Sequence, residues 1–249
     1  MGRTVRSLRR REVLASGAAA FATLAFGAST STAGIIKGEM PMSPSRAYPP
    51  TTPMIGNWHF FTDAEGAAVE AIVDRLIPAD TNSPGGKDMG CAVYIDRQLA
   101  GPYGSSEGFY MSGPFQSGTP QQGPQTAMTP AKKYRQALAA IDRYCRANFA
   151  GKSFVQLEDA EKDKMIAGME EKSIALEGIE AHDVFQQVLK DTQEGFFADP
   201  IYGGNVNMAS WKMIGFPGAR YDYRDWVSRH NEPFPLGPVG MADHPDWTR

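Results

Sequence analysis

Five stretches of this chain repeat apolar residues at helical spacing, and no stretch sustains a two-residue alternation. Strands are therefore expected to be few. Thr62-Asp63-Ala64-Glu65 reads as a capping box, in which the Thr hydroxyl and the Glu carboxylate satisfy free backbone N–H groups. Val69, Ile72, Val73 and Leu76 follow on one face, and Pro78 stops the run. A loop from Ala79 to Gly86 leads to a short helix over about residues 90–100. Thr129-Pro130 starts another, with Thr at the N-cap and Pro where a missing N–H is harmless. Tyr134, Leu138, Ile141, Cys145 and Phe149 share its inner face, and Gly151 closes it. A shorter helix carries Met165, Ile166 and Met169. The last spans about residues 178–198, with Ile179, His182, Phe185, Leu189 and Phe196 inward, and Asp199-Pro200 ends it. Residues 101–130 form a Gly/Pro/Gln-rich insertion without a period. The expected fold is all-α: an irregular helical domain over residues 58–230 with long Gly/Pro-rich loops and an aromatic-rich C-terminal segment. The chain's 249 residues are ample for a sizeable core.

Both ends differ from this body. Residues 1–33 have a basic stretch ending at Arg11, a weakly apolar stretch from Val13 to Ala28, and Ser31-Thr32-Ala33 as a small-residue cleavage site. That is the three-part layout of a bacterial export signal. Arg10 and Arg11, followed by Glu12-Val13-Leu14, resemble the twin-arginine motif read by the twin-arginine translocase. About 16 residues rich in Ala and Gly are too short and too weakly apolar to serve as a membrane anchor. Residues 34–57 read as a linker or extended arm, and 231–249 as a Pro-rich tail.

Charge and motif content narrow the chemistry. The formal charge is 25 − 28 = −3, and removing residues 1–33 takes away five Arg and one Glu, leaving 20 − 27 = −7. No nucleic-acid partner is expected, because counterion release needs clustered Lys and Arg. There is no G-x-G-x-x-G dinucleotide fingerprint and no C-x-x-C-H haem attachment. Gly151-Lys152-Ser153 imitates the end of a P-loop, but Arg146 stands where its first Gly belongs. Two Cys cannot hold a four-Cys iron–sulfur cluster. His59, His182, His230 and His244 are scattered, and His182, on an apolar helix face, reads as a satisfied core histidine. Glu158, Asp159, Glu161 and Asp163 read as a solvated helix face. The expectation is a chain with no catalytic, cofactor-binding or metal-binding residues of its own.

Two features stay open at this level. Cys91 and Cys145 could form a disulfide in an oxidising compartment, remain buried free thiols, or bridge to a partner chain. Residues 196–226 hold eight aromatics in 31 positions, among Gly and Pro. Of these, Trp211, Phe216, Tyr221 and Trp226 are either the flank of the core or a partner interface.

Three blocks carry a family resemblance: ADTNSPGGKDMGCAVYIDRQLAGPYG from Ala79, YRQALAAIDRYCRANFAGKSFVQL from Tyr134, and FFADPIYGGNVNMASWKMIGFPGARYDYRDW from Phe196. Together they make the chain resemble the gluconate 2-dehydrogenase subunit 3 family, whose members include the small (gamma) subunit of membrane-bound gluconate 2-dehydrogenase. The resemblance implies a periplasmic complex at the outer face of the cytoplasmic membrane. Its FAD-binding large subunit, of glucose-methanol-choline type, oxidises the sugar acid. A multihaem cytochrome c subunit, carrying haem c, passes electrons to quinone. The small subunit holds no cofactor, and the large subunit, lacking an export signal, crosses the membrane bound to it. Relatives serve fructose, sorbitol, glucose or 2-ketogluconate enzymes. Two other readings compete: an independent periplasmic enzyme using Asp80, Asp88 or His182, and a solitary binding module with a ligand in the aromatic block.

Overall fold

In a computed structural model the chain is described over residues 51–242, apart from 55, 57, 110, 117, 123, 124, 221 and 222. The export signal with Arg10 and Arg11, most of the arm, Tyr221 and His244 lie outside the described residues. The fold is all-α. Helix α1 spans Asp63–Leu76, α2 Cys91–Ala100, α3 Pro102–Ser105, α4 Pro130–Asn148, α5 Asp159–Glu170, α6 Ala181–Phe197 and α7 Ala209–Ile214. Among the described residues the only β pairing is two isolated bridges, Leu176 with Ile179 and Gly218 with Val239.

Local chemistry explains the helix starts. The Glu65 N–H reaches the Thr62 hydroxyl, and the Glu65 carboxylate accepts from the Thr62 N–H, completing the capping box. Thr129 caps α4 through the Lys132 N–H, with Pro130 in the first turn. Glu158 and Glu161 form another capping box at α5. The acids Asp159 and Asp163 of α5 are solvated, but they also hold Arg75 of α1. Two expectations shift. Helix α6 begins at Ala181 rather than near 178, because Gly178 sits at φ +79 in the turn bridged by Leu176 and Ile179. The insertion after Gly101 is not wholly irregular: α3 packs a turn of helix onto α2 and α4.

The core is a single cluster fed by every long helix. Val69 and Val73 come from α1, Ile95 from α2, Tyr134 and Ile141 from α4, Met165 from α5, and Val184 and Phe196 from α6. Helices α2 and α6 form the central pair. Their approach depends on Gly195 in α6, where a Cβ would stand 2.9 Å from the Tyr94 ring. Past the end of α6, a Cβ at Gly204 would overlap the Gly195 carbonyl of that helix. This close contact lets the chain turn back after α6 and place α7 against it.

Candidate functional site

Three places in this framework could carry function: a buried polar cluster, a groove, and the aromatic block. The cluster centres on Asp191 of α6, which is 2% exposed. Its carboxylate accepts from the Tyr134 hydroxyl at 2.8 Å, the Tyr103 hydroxyl at 3.1 Å, and the Gln187 amide at 3.0 and 3.1 Å. Gln187 also donates to the Tyr103 oxygen at 2.6 Å. One carboxylate therefore joins α3, α4 and α6. Burial pushes Asp191 above the ordinary carboxylate range, opposed by the three donors. Burial likewise raises both phenols, so Tyr103 and Tyr134 are neutral donors at any physiological pH. The carboxylate is buried and satisfied, with Tyr103 and Gln187 half-buried around it, which suits architecture better than proton transfer.

A raised carboxyl gives this cluster a definite pH signature. The folded chain binds the Asp191 proton more tightly than the unfolded chain does. Its stabilising contribution is thus complete below the ordinary Asp value, about 4, and is lost as pH rises through the folded value. Asp191→Asn removes that titration. In urea unfolding between pH 4 and pH 7, its stability relative to the parent chain is expected to improve as pH rises. A constant difference would show that Asp191 is not shifted.

A second buried carboxylate, Asp96 of α2, is fully buried. It accepts from the backbone N–H of His59 at 2.7 Å and of Phe60 and Phe61 at 2.9 Å, and from the Arg97 guanidinium at 2.8 Å. This fixes the chain entering α1. Arg135 of α4 reinforces it by donating to the Phe60 carbonyl and the Glu65 carboxylate, with its guanidinium 4.1 Å from the Phe60 ring centre. Neither Asp96 nor Asp191 was singled out from the sequence. A signal was present, since each Asp stands on the apolar face of its helix, Asp96 beside Ile95 and Leu99, Asp191 in register with Val184 and Val188.

The groove, about 610 Å³, lies between α1, α4 and the turn Phe154–Gln156. That is within the range of ligand sites. Its floor is apolar, with Ala68, Leu138, Ile141 and Phe154, and its rim charges are already matched, Glu65 with Arg135 and Asp142 with Arg146. No nucleophile–base pair faces it among the described residues.

Residues proposed for catalysis are not brought together. Asp80 accepts the Asn82 and Ser83 N–H groups of its own loop, and Asp88 is exposed. The His182 Nδ1 lies 2.8 Å from the Glu170 carbonyl, and its ring stacks beside Phe185, as a satisfied histidine should. No hydrogen bond or ion pair links any two of them among the described residues. Cys91 and Cys145 are both buried and stand as separate free thiols. Cys145 instead packs its sulfur 3.3 Å from that of Met165. Burial raises the two thiols to about 12 and about 11, which keeps them protonated and inert. No group of three His, Cys, Asp or Glu able to hold a metal occurs among the described residues.

The aromatic block divides. Trp211 is core, 6% exposed, with its indole N–H donating to the Phe197 carbonyl at 2.8 Å. Of the two readings open for it, Trp211 takes the core one: α7, a six-residue helix too short to show a period, turns it inward. Phe216 packs edge-on against it at 5.1 Å yet stays 44% exposed. Trp226 is half-buried, between Phe234 at 5.3 Å and the Arg229 guanidinium at 4.5 Å. Exposed Phe197 and Tyr202, two of the eight aromatics, and exposed Met213 and Ile214 lie at the end of α6, in the turn after it and on α7.

No curated protein and no solved structure matches this chain. One family model does, that of gluconate 2-dehydrogenase subunit 3, over residues 63–218. The match begins at the first residue of α1 and ends at Gly218, where the chain bridges to Val239. It covers all seven helices of the described residues and well over half of the 249 residues. With all three sequence blocks inside or overlapping that span, the chain belongs to the gluconate 2-dehydrogenase subunit 3 family.

Proposed function

We propose that this chain is the non-catalytic small subunit of a periplasmic, membrane-bound, FAD-dependent dehydrogenase that oxidises gluconate to 2-ketogluconate. In this reading it escorts the folded FAD-binding large subunit through the twin-arginine route and stabilises it at the outer face of the cytoplasmic membrane. A multihaem cytochrome c completes the complex, so FAD and haem c belong to the partners. Family membership over residues 63–218 is the observation that carries the reading. The Arg10-Arg11 signal supports its export half. Buried carboxylates, both saturated by hydrogen bonds, and inert thiols support a scaffolding role for the helical body.

The test is the double substitution Arg10→Lys with Arg11→Lys in cells that make the whole complex. Periplasmic dye-linked gluconate oxidation is expected to fall at least tenfold, with both the small and the large subunit retained in the cytoplasm. Unchanged periplasmic activity would overturn the escort reading. Retention of the small subunit alone would separate export of this chain from export of its partner.

A further inference from the structure

We propose that the tip of α7, from Lys212 to Phe216, contacts lipid and seats this chain on an anionic membrane surface. The inference rests on the membrane-side location proposed above and adds a contact made by this chain itself. Residues 212–216 are five consecutive exposed positions. Three of them are large and apolar: Met213 and Phe216, each 44% exposed, and Ile214 at 57%. Their adjacency in the chain keeps them together. The turn that carries them is fixed from beneath. The Phe216 N–H donates to the Trp211 carbonyl at 2.9 Å and the Gly215 N–H to the Lys212 carbonyl at 3.4 Å. This pair of bonds ends a helix at a left-handed residue, here Gly215 at φ +70. Trp211 takes the inward side of α7, with its indole N–H bonded to the Phe197 carbonyl. Met213 and Ile214 are left in solvent, where large apolar groups mark a contact site.

Charge names the occupant. Residues 200–220 contain Lys212 and Arg220 and no Asp or Glu, a local +2, whereas residues 34–249 together sum to −7. Lys212 is exposed and in no ion pair among the described residues. The nearest acid before this stretch, Asp199, is already engaged by the N–H groups of Ile201 and Met241. A free cation beside exposed apolar side chains matches both layers of an anionic bilayer surface. The ammonium meets lipid phosphate, and Met213, Ile214 and Phe216 enter the boundary beneath it. The acidic remainder of the chain is repelled by the same surface, so the field turns the basic tip toward the lipid. None of the described helices is long and apolar enough to cross a membrane, so the contact is a shallow one, about 5–10 Å deep.

The test is a local one. Both native thiols are buried and protonated, so Ile214→Cys in the full chain can be labelled selectively with an environment-sensitive fluorophore such as nitrobenzoxadiazole. Vesicles of phosphatidylglycerol and phosphatidylcholine are expected to raise its emission at least twofold, and spin-labelled lipid to quench it. The same label on Glu177→Cys is expected to stay silent. Glu177 precedes the start of α6, and α7 packs at the other end of that helix, about 25 Å away. This control separates tip insertion from attraction of the basic residues 1–33 to the vesicle, which would not immerse position 214. Adding Lys212→Glu to the labelled chain is expected to raise the lipid concentration needed by about fivefold, the weight of one surface cation. Silence at 214, equal signals at 214 and 177, an equal response to phosphatidylcholine alone, or indifference to Lys212→Glu would each overturn the proposal. So would a signal at 214 that appears only on raising the chain concentration or adding the large subunit, which would assign the tip to a second copy or to that partner. The readout needs neither export nor the large subunit, so its failure is distinct from failure of the escort reading.

Discussion

Asp96→Ala is expected to lower the unfolding free energy by roughly 3–5 kcal/mol, a large part of the 5–15 kcal/mol typical of a folded domain. The side chain itself is small, so lost packing is a minor part of the effect. What is lost is the acceptor for three consecutive backbone N–H groups, those of His59, Phe60 and Phe61. A buried donor left without a partner costs about 1–3 kcal/mol. Arg97 loses its carboxylate contact at the same time. Asp96→Asn keeps an acceptor oxygen and the shape but not the charge, so a smaller loss is expected from it. Urea unfolding followed by far-ultraviolet circular dichroism measures both. A loss under about 1 kcal/mol for the Ala variant would show that aromatic packing holds the segment instead. The relevant contacts are Trp58 on Phe61 at 6.0 Å and Phe60 on Phe61 at 5.2 Å.

The contrast between these carboxylates and the helix caps explains which features the sequence could reveal. Thr62 with Glu65, and Thr129 with Lys132, close hydrogen bonds across three residues, so their geometry follows from local spacing alone. Helical periods across α1, α4 and α6 are equally local, and the all-α reading rests on them. Asp96 meets its partners across 35–37 residues, and Asp191 finds Tyr134 and Tyr103 across 57 and 88. No spacing rule reaches that far. The apolar register of each Asp marks it as buried without saying what satisfies it. Helix α7 was hidden for another reason. It is about one and a half turns long, and it is launched by the left-handed residues Asn205, Asn207 and Met208, which no helical period announces. Of the candidate interface, the aromatic composition was legible, but the division between inward Trp211 and outward Phe216 was not. There Val239, from much later in the chain, pairs with Pro217 and Ala219 just after α7, and Gly218 between them lies against the Trp211 ring.

Trp211→Ala should consequently act on folding before it acts on any partner. Replacing a buried Trp by Ala typically costs about 3–5 kcal/mol through lost transfer energy and the cavity left behind. The site has little freedom to collapse. The indole is pinned through its N–H to the Phe197 carbonyl and faced by Phe216. It is also pressed so closely by Gly218 that a Cβ there would stand 3.0 Å from the ring. For a chain of this size the thermal midpoint is expected to drop by roughly 6–20 °C. Phe216→Ala removes a ring already 44% exposed, so its loss is expected to stay within about 1 kcal/mol. The pair separates two roles that co-purification alone would merge, because an unstable small subunit also recovers less of its partner. Thermal unfolding of the isolated chain is measured first, and recovery of the large subunit second. A Trp211→Ala chain that melts with the parent would return Trp211 to the surface and overturn its place in the core. A Phe216→Ala chain that melts with the parent but recovers at least tenfold less large subunit would place the docking contact on the outer side of α7.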